Sequence, residues 1–268
     1  MYEIFAPAPL LSPYIELYWR VQTNDAVLSL HERIMVDGQA DILFNFGAPY
    51  QRQNPTDASG NGIVSRSNLD AQRRYPIIIA QQGAIDLIGV RFRSGGLNTF
   101  TRIPLMDFTN LTLDLDLLFG TTVHELEESL FEARLNAEHQ IALLNAFFLR
   151  LRRDPSYAHQ SAYQLASMID STNGSVTIAA LSREIGYSMR TLDRRFTAAF
   201  GFSPKFYARI ARFRATLNTL DTRTKINLGE IALLHGYSDQ AHFTNDFVML
   251  AGQTPSQYLT MRYIPDSG

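Results

Sequence analysis

Gly186-Tyr187-Ser188-Met189-Arg190-Thr191-Leu192-Asp193-Arg194-Arg195-Phe196 is the stretch from which the rest of the chain can be read. Ahead of it, Ile178, Leu181 and Ile185 keep helical spacing and form one buried side. Gly186 can take the left-handed conformation that ends that helix. Ser188 is a good N-cap for the next one. With Leu192 at zero and 100° per residue, Phe196, Ala199 and Phe200 fall within about 80° of it, whereas Arg190, Arg194 and Thr197 fall at about 160°, 200° and 140°. The second helix therefore sets arginines opposite its core. This is the helix-turn-helix layout, whose second helix enters the DNA major groove, where arginine pairs bidentately with guanine.

Outward from this stretch, the pattern repeats. Gly186-Tyr187-Ser188 recurs as Gly236-Tyr237-Ser238. Leu192, Phe196, Gly201, Pro204 and Tyr207 are answered by Phe243, Phe247, Gly252, Pro255 and Tyr258, with one extra residue after the second turn. In the second copy Gln240, Ala241 and Asn245 lie opposite the core. Glutamine and asparagine can pair with adenine, and alanine can touch a thymine methyl. The first unit spans about 176–201 and the second about 228–252. Between them Ser203 caps and Pro204 opens a helix with the stripe Phe206, Ile210, Phe213, Leu217 and Leu220. About seventeen helical residues span about 26 Å, enough to set two recognition helices about one DNA turn, roughly 34 Å, apart. Arg209, Arg212 and Arg214 add charge to this connector.

The 268 residues carry a net charge of −2, and its distribution matters more than its total. Residues 174–225 hold ten Lys+Arg against three Asp+Glu; residues 226–268 hold one against four. The first unit is expected to supply most of the affinity for phosphate. Asp239 and Asp246 weigh against the second.

The first half reads as β. Ile42, Phe44 and Phe46 alternate with Leu43 and Asn45; 77–80 and 85–92 are two further strands, with a turn at Gln81-Gln82-Gly83. Residues 47–75 are poor in apolar side chains and read as a long loop. Asp57-x-Ser59-x-x-Gly62 matches half of a cyclic-di-GMP signature whose R-x-x-x-R partner is absent upstream. From Thr121 the period turns helical. Val123, Leu126, Leu130 and Ala133 form one stripe; Ile141, Leu144, Phe148 and Leu151 form the next. A second row at Leu143 and Phe147 either is covered within the domain or packs on a second copy. Arg152-Arg153-Asp154-Pro155 reads as a linker. The expected domains are 1–155, for effector binding and dimerisation, and 156–268, for DNA.

These residues resemble the AraC/XylS family of bacterial regulators. The likeness over 157–262 rests on GYS-x-R-x-L-x-R-x-F at 186–196, G-x-S-P at 201–204, I-A-x-x-x-G-Y at 231–237, and H-F-x-x-x-F with G-Q-T-P-x-x-Y at 242–258. More loosely, PYIELYW at 13–19, ERIMVDGQADILFNFG at 32–47 and GVRFRSGG at 89–96 resemble the sensing domains of a subgroup. The resemblance implies an α+β chain: a small cupin-like β-barrel with helices, then an all-α domain with two helix-turn-helix subdomains joined by a long helix. It aligns Arg190, Asp193 and Arg194 with base-reading positions of the first unit, and Gln240, Ala241 and Asn245 with those of the second. Asn245 and Val248-Met249 depart from the family, where arginine or lysine is common.

The candidate DNA-binding residues are Ser188, Arg190, Thr191, Arg194, Arg195 and Thr197 in the first unit, and Gln240, Ala241, His242 and Asn245 in the second. Trp19, His31, Arg33, Phe44, Phe46, Arg91 and Arg93 are candidates to line an effector pocket, aromatic walls with a few charges suiting a small anion. Arg91 and Arg93 share one side of a strand by period two; Asp41 or Asp86 is the internal alternative to an anionic ligand. The partners expected are an operator in double-stranded DNA, RNA polymerase, a small-molecule effector and a second copy of the chain. The alternative is a regulator whose first half only dimerises or binds a protein. No cofactor, catalytic residue or metal site is expected. The absence of cysteine excludes thiolate metal sites and the acceptor thiol of methyl-transfer repair proteins, and fits a reducing cytoplasm. No apolar run is long enough to span a membrane. The opening MYEIFAPAPL lacks the basic and apolar regions of a signal peptide.

Overall fold

Along the strands of the first half, apolar side chains occupy alternate and intervening positions alike, and the fold buries both sets. The computed structural model describes residues 2–23, 29–54, 62–64, 67–153, 157–223 and 226–262. Its strands are β1 (Tyr2–Phe5), β2 (Ile15–Thr23), β3 (Ser29–Ile34), β4 (Ala40–Asn45), β5 (Tyr50–Gln53), β6 (Gly62–Val64), β7 (Asn68–Asp70), β8 (Ile77–Gln82), β9 (Ile85–Phe92) and β10 (Thr112–Asp114). They form two antiparallel sheets, ordered β1-β2-β9-β4-β7-β10 and β3-β8-β5-β6. Among the described residues no strand pairs across the two sheets, so the cupin-like domain is a pair of facing sheets and not a closed barrel. The expected loop at 47–75 contains β5, β6 and β7. Asp57 and Ser59 of the half-signature lie outside the described residues.

The helices that follow are α1 (Asp116–Phe119), α2 (Thr122–Glu132) and α3 (Ala137–Leu151). They cover the outer face of the six-stranded sheet. Ile42 and Phe44 of β4 and Ile88, Val90 and Phe92 of β9 join Val123, Leu126, Leu130, Leu144 and Phe148 in one core. Phe92, Phe100 and Phe148 meet there at centroid distances of 5.0–5.7 Å, each such pair adding about 0.5–1.5 kcal/mol beyond area burial. Phe147, of the second apolar row, belongs to the same core. It is 4% exposed and meets Phe119 edge-on at 5.5 Å. Leu143 packs partly buried beside it. Of the two readings of this row, the structure favours cover from within, because α1 folds back over α3.

The remaining helices are α4 (Tyr157–Ser171), α5 (Ile178–Ile185), α6 (Met189–Phe200), α7 (Pro204–Thr222), α8 (Leu228–Leu234), α9 (Gln240–Ala251) and α10 (Pro255–Arg262). Five of these starts have the cap their sequence offers. Thr177 accepts from the Ala180 N–H, Ser188 from Thr191, Ser203 from Phe206, Asn227 from Gly229 and Glu230, and Asp239 from His242. Gly186, Gly201 and Gly252 end α5, α6 and α9 with φ of 78°, 77° and 71°, where any Cβ would be strained. One apolar core runs through both helix-turn-helix units. Leu181, Leu192, Phe196 and Phe200 pack on Leu165 and Ile169 of α4; Ile231, Phe243, Phe247 and Leu250 pack on Phe213 and Leu220 of α7. That core also takes in Val36, from the first half of the chain.

Candidate nucleic-acid interface and inter-sheet cavity

On α6, Leu192, Phe196, Ala199 and Phe200 are buried and Phe196 stacks on Phe200 at 4.3 Å. Arg190, Asp193 and Arg194 are exposed on the opposite side. Among the described residues, Arg190 and Arg194 take part in no hydrogen bond or ion pair. Ser188 and Thr191 are tied to each other at the cap, hydroxyl to hydroxyl at 2.9 Å, and Thr197 is half-buried. Arg195 is not on the reading face. Its guanidinium lies 4.5 Å over the Tyr187 ring and donates to the Ser161 hydroxyl at 3.2 Å. Three residues beyond Leu192, it falls about 60° from the core line and flanks the contact with α4.

On α9, Gln240, Ala241, His242 and Asn245 are exposed, with Phe243 and Phe247 buried beneath. The His242 ring meets the Ser238 hydroxyl at 3.1 Å and stands edge-on to Tyr237. Asp239, accepting backbone N–H from His242 and held by Ser238, keeps its carboxyl below the usual aspartate range. Asp246 does not oppose DNA. It is 5% exposed and accepts from Arg209 of α7 at 2.5 Å. The other connector arginines are likewise internal. Arg212 donates to the Gly174 carbonyl at 3.0 Å and covers Tyr237; Arg214 pairs with Asp170 at 2.7 Å. Asp193 of α6 and His242 of α9 line a single cleft of about 730 Å³ floored by Lys205, Arg209 and Arg212 of α7. Sequence reading passed over Lys205, which is exposed there.

The far ends of both recognition helices are held by the first half of the chain, at equivalent positions of the repeat. The Gly201 carbonyl accepts from the Thr109 hydroxyl at 3.0 Å and from Arg74 Nη2 at 3.3 Å. The Gly252 carbonyl accepts from Arg33 Nη1 at 2.8 Å, and the Val36 N–H donates to the Leu250 carbonyl at 2.9 Å. Gly95 lies so close to the Phe200 ring that a Cβ there would stand 2.8 Å from it.

A cavity of about 220 Å³ separates the two sheets. Period two decides its lining. Leu17, Trp19 and Val21 of β2, Asp41 and Leu43 of β4, Glu32 and Ile34 of β3, and Leu87 and Arg91 of β9 all face it. Of the candidate pocket residues, Trp19 and Arg91 are there; the other five are not. Phe44 points to the helices and Phe46 packs on Phe131 at 5.6 Å. Arg33 alternates outward to Gly252. His31 lines a separate outer depression with Gln51, Ile63 and Gln82. Arg93 lies beyond the end of β9, exposed, and donates to the Ser12 carbonyl at 2.8 Å. Arg91 meets Asp41 through Nε and Nη2 at 3.0–3.3 Å, and Asp37 at 3.7 Å. Burial disfavours its charge, yet Asp41 and Asp37 outweigh burial and raise its pKa above the ordinary guanidinium value. Trp19 Nε1 donates to Asp41 at 3.2 Å, and its indole lies where a side chain on Gly89 would stand. Among the described residues no group of His, Asp and Glu is placed to hold a metal ion, and no helix is long and apolar enough to cross a membrane.

Residues 181–261 match a family model described as a helix-turn-helix domain. The chain carries an AraC-type helix-turn-helix domain. Domains of this type are the DNA-binding part of transcription regulators. Upstream of the AraC-type domain, residues 3–114 match a domain of unknown function, DUF6597. No curated protein matches the chain. Among solved structures it is similar to ToxT of Vibrio cholerae strain SCE256 with unsaturated fatty acid bound, at 11% identity and a TM-score of 0.48, covering 90% of this chain and 98% of that one. It is also similar to the AraC-like transcriptional activator CuxR, at 13% identity and a TM-score of 0.31, covering 75% and 76%.

Proposed function

We propose that the chain is a sequence-specific DNA-binding transcription regulator controlled by a small molecule held between the sheets of its first domain. The observation that carries the DNA reading is the outer face of α6, where Arg190 and Arg194 stand free opposite a fully buried face. Guanidinium groups with no internal partner on a capped helix are available for guanine edges and phosphates. Gln240, Ala241 and Asn245 give α9 a set suited to A·T pairs, and Lys205 lies in the cleft between the two helices. Selection of preferred sites from a randomised duplex library tests this reading. Arg190→Ala and Arg194→Ala are each expected to cost about 1–3 kcal/mol at the preferred site and to relax one position. An unchanged site and affinity in both variants overturns it.

The cavity supports an effector over a domain that only dimerises, since a purely structural sandwich would fill its interior with side chains. Strand β3 supports the coupling. Glu32 and Ile34 face the cavity while Arg33, between them, holds the end of α9. A ligand that shifts β3 thereby shifts a recognition helix, provided it prefers one of the two arrangements.

A further inference from the structure

The charges around the cavity bear on what it can hold. Glu32, Asp41, Asp70 and Arg91 line it, three acids against one base. Arg91 is already engaged, held by Asp41 through two nitrogens and by Asp37 through a third. An incoming carboxylate or phosphate would have to displace Asp41 and leave that carboxylate without its main partner, a costly exchange inside a protein. Asp70 is bound by Arg73, with Arg52 at 3.5 Å. Glu32 differs from these. Among the described residues its carboxyl has no hydrogen bond and no ion pair, although Arg91 and Asp41 are near enough to act on its charge. The walls supply the rest: branched aliphatic side chains from both sheets, the Trp19 indole held rigid over Gly89 by its bond to Asp41, and the Tyr50 ring.

We infer that this cavity binds a small organic cation, an ammonium group on a short apolar body, with Glu32 as the counter-ion and Trp19 as an aromatic wall. Cations are attracted to the face of tryptophan more than to any other ring. At about 220 Å³ the cavity holds the volume of about seven liquid waters, which limits the ligand to a small molecule. Glu32 keeps an exposed side, yet partial burial pushes its carboxyl up from the ordinary value, and a cation beside it relieves that cost. The inference names the ligand class of the effector site proposed above and rests on that reading for any link to DNA.

Trp19 is the only tryptophan in the chain, so its emission reports on the cavity without labelling. The test titrates the full chain with n-hexylammonium, 1-hexanol and hexanoate at equal ionic strength, following tryptophan emission and Tm. Saturable binding of n-hexylammonium is expected, with hexanoate silent. Glu32→Gln is expected to weaken the amine about tenfold or more and to abolish its effect on Tm. Glu32→Asp, which keeps the charge, is expected to retain most of the binding and guards against a folding defect. Preference for hexanoate, equal binding of all three probes, no saturable binding, or an amine affinity unaltered in Glu32→Gln overturns the ligand class. Operator affinity measured with and without n-hexylammonium separates the two claims. Binding of the amine with no change on DNA keeps the ligand class and overturns the effector role; hexanol or hexanoate acting on DNA keeps the role and overturns the class.

Discussion

Arg194 and Arg195 are neighbours in sequence with opposite duties. Arg194 is exposed and unpaired; Arg195 spans Tyr187 and Ser161. Arg195→Ala is therefore expected to lower stability by about 1–2 kcal/mol and leave base preference intact, as read by urea unfolding and site selection. A relaxed base preference with unchanged stability would reverse the assignment. His235 permits a test by pH. Burial, aided by Arg223 and Arg212, holds its pKa below the ordinary 6.5. Below that value the unfolded chain takes a proton that the folded chain refuses, so stability falls as pH drops from 6.5 toward the folded value. The drop in Tm between neutral and mildly acidic buffer should shrink in His235→Gln. At this scale the helical wheel of α6 was legible, because a charged side and an aromatic side of one helix cannot be confused. The cavity residues were not. Leu43 and Phe44 are both buried, one on each face of the sheet, and alternation alone cannot say which face meets the second sheet. Arg93 failed for a different reason: period two holds only within a strand, and β9 ends at Phe92.

Among the elements, α3 favours one of the two readings its sequence left open. Its two apolar rows are real, and both face the interior of one domain. Phe147→Glu should then unfold the domain instead of releasing monomers, at a cost of about 3–5 kcal/mol or more, because it places a charge among Phe119, Leu144 and Phe148. Circular dichroism with sedimentation distinguishes the outcomes; a folded monomer would restore the dimer reading. The strands within 47–75 escaped notice because they are short and polar residues share their buried positions. Arg52 and Asn68 are inside beside Tyr50 and Leu69, so a count of apolar residues sees only a loop. The turns and caps of the second half were legible residue by residue, since a serine, threonine, asparagine or aspartate stands at the start of α5, α6, α7, α8 and α9.

For the whole molecule, the charge count along the chain needs amending. It treats Arg209, Arg212 and Arg214 as free and Asp246 as repulsive, whereas all four are spent on holding α7 to its neighbours. The excess in the first unit that DNA can feel is smaller than the sequence suggests, and so is the deficit in the second. Each phosphate contact changes the salt dependence of binding by about 0.9 in log–log slope, so Lys205→Ala should reduce the slope by about one unit and Asp246→Asn should leave the DNA-bound contacts unchanged while loosening the fold. Cutting the chain after about residue 225 is expected to fail as a way of isolating the first unit, because Phe213 and Leu220 would lose Phe247 and its neighbours and expose the shared core.

The paired glycine carbonyls at 201 and 252 make the protein a ruler. Both reading heads are held by the connector and again by Arg74 and Arg33, so sliding or rotating one against the other has to break or move those contacts. A ruler of this kind measures helical phase. One extra base pair between the two recognised segments adds about 3.4 Å and turns the second about 35° away from its reader. Binding should collapse to that of a single segment with such an insertion, and adding a full turn should not restore it, because the second segment then lies about 34 Å beyond its fixed reader. In Arg33→Ala, where one graduation is loosened, the penalty for the inserted pair should soften.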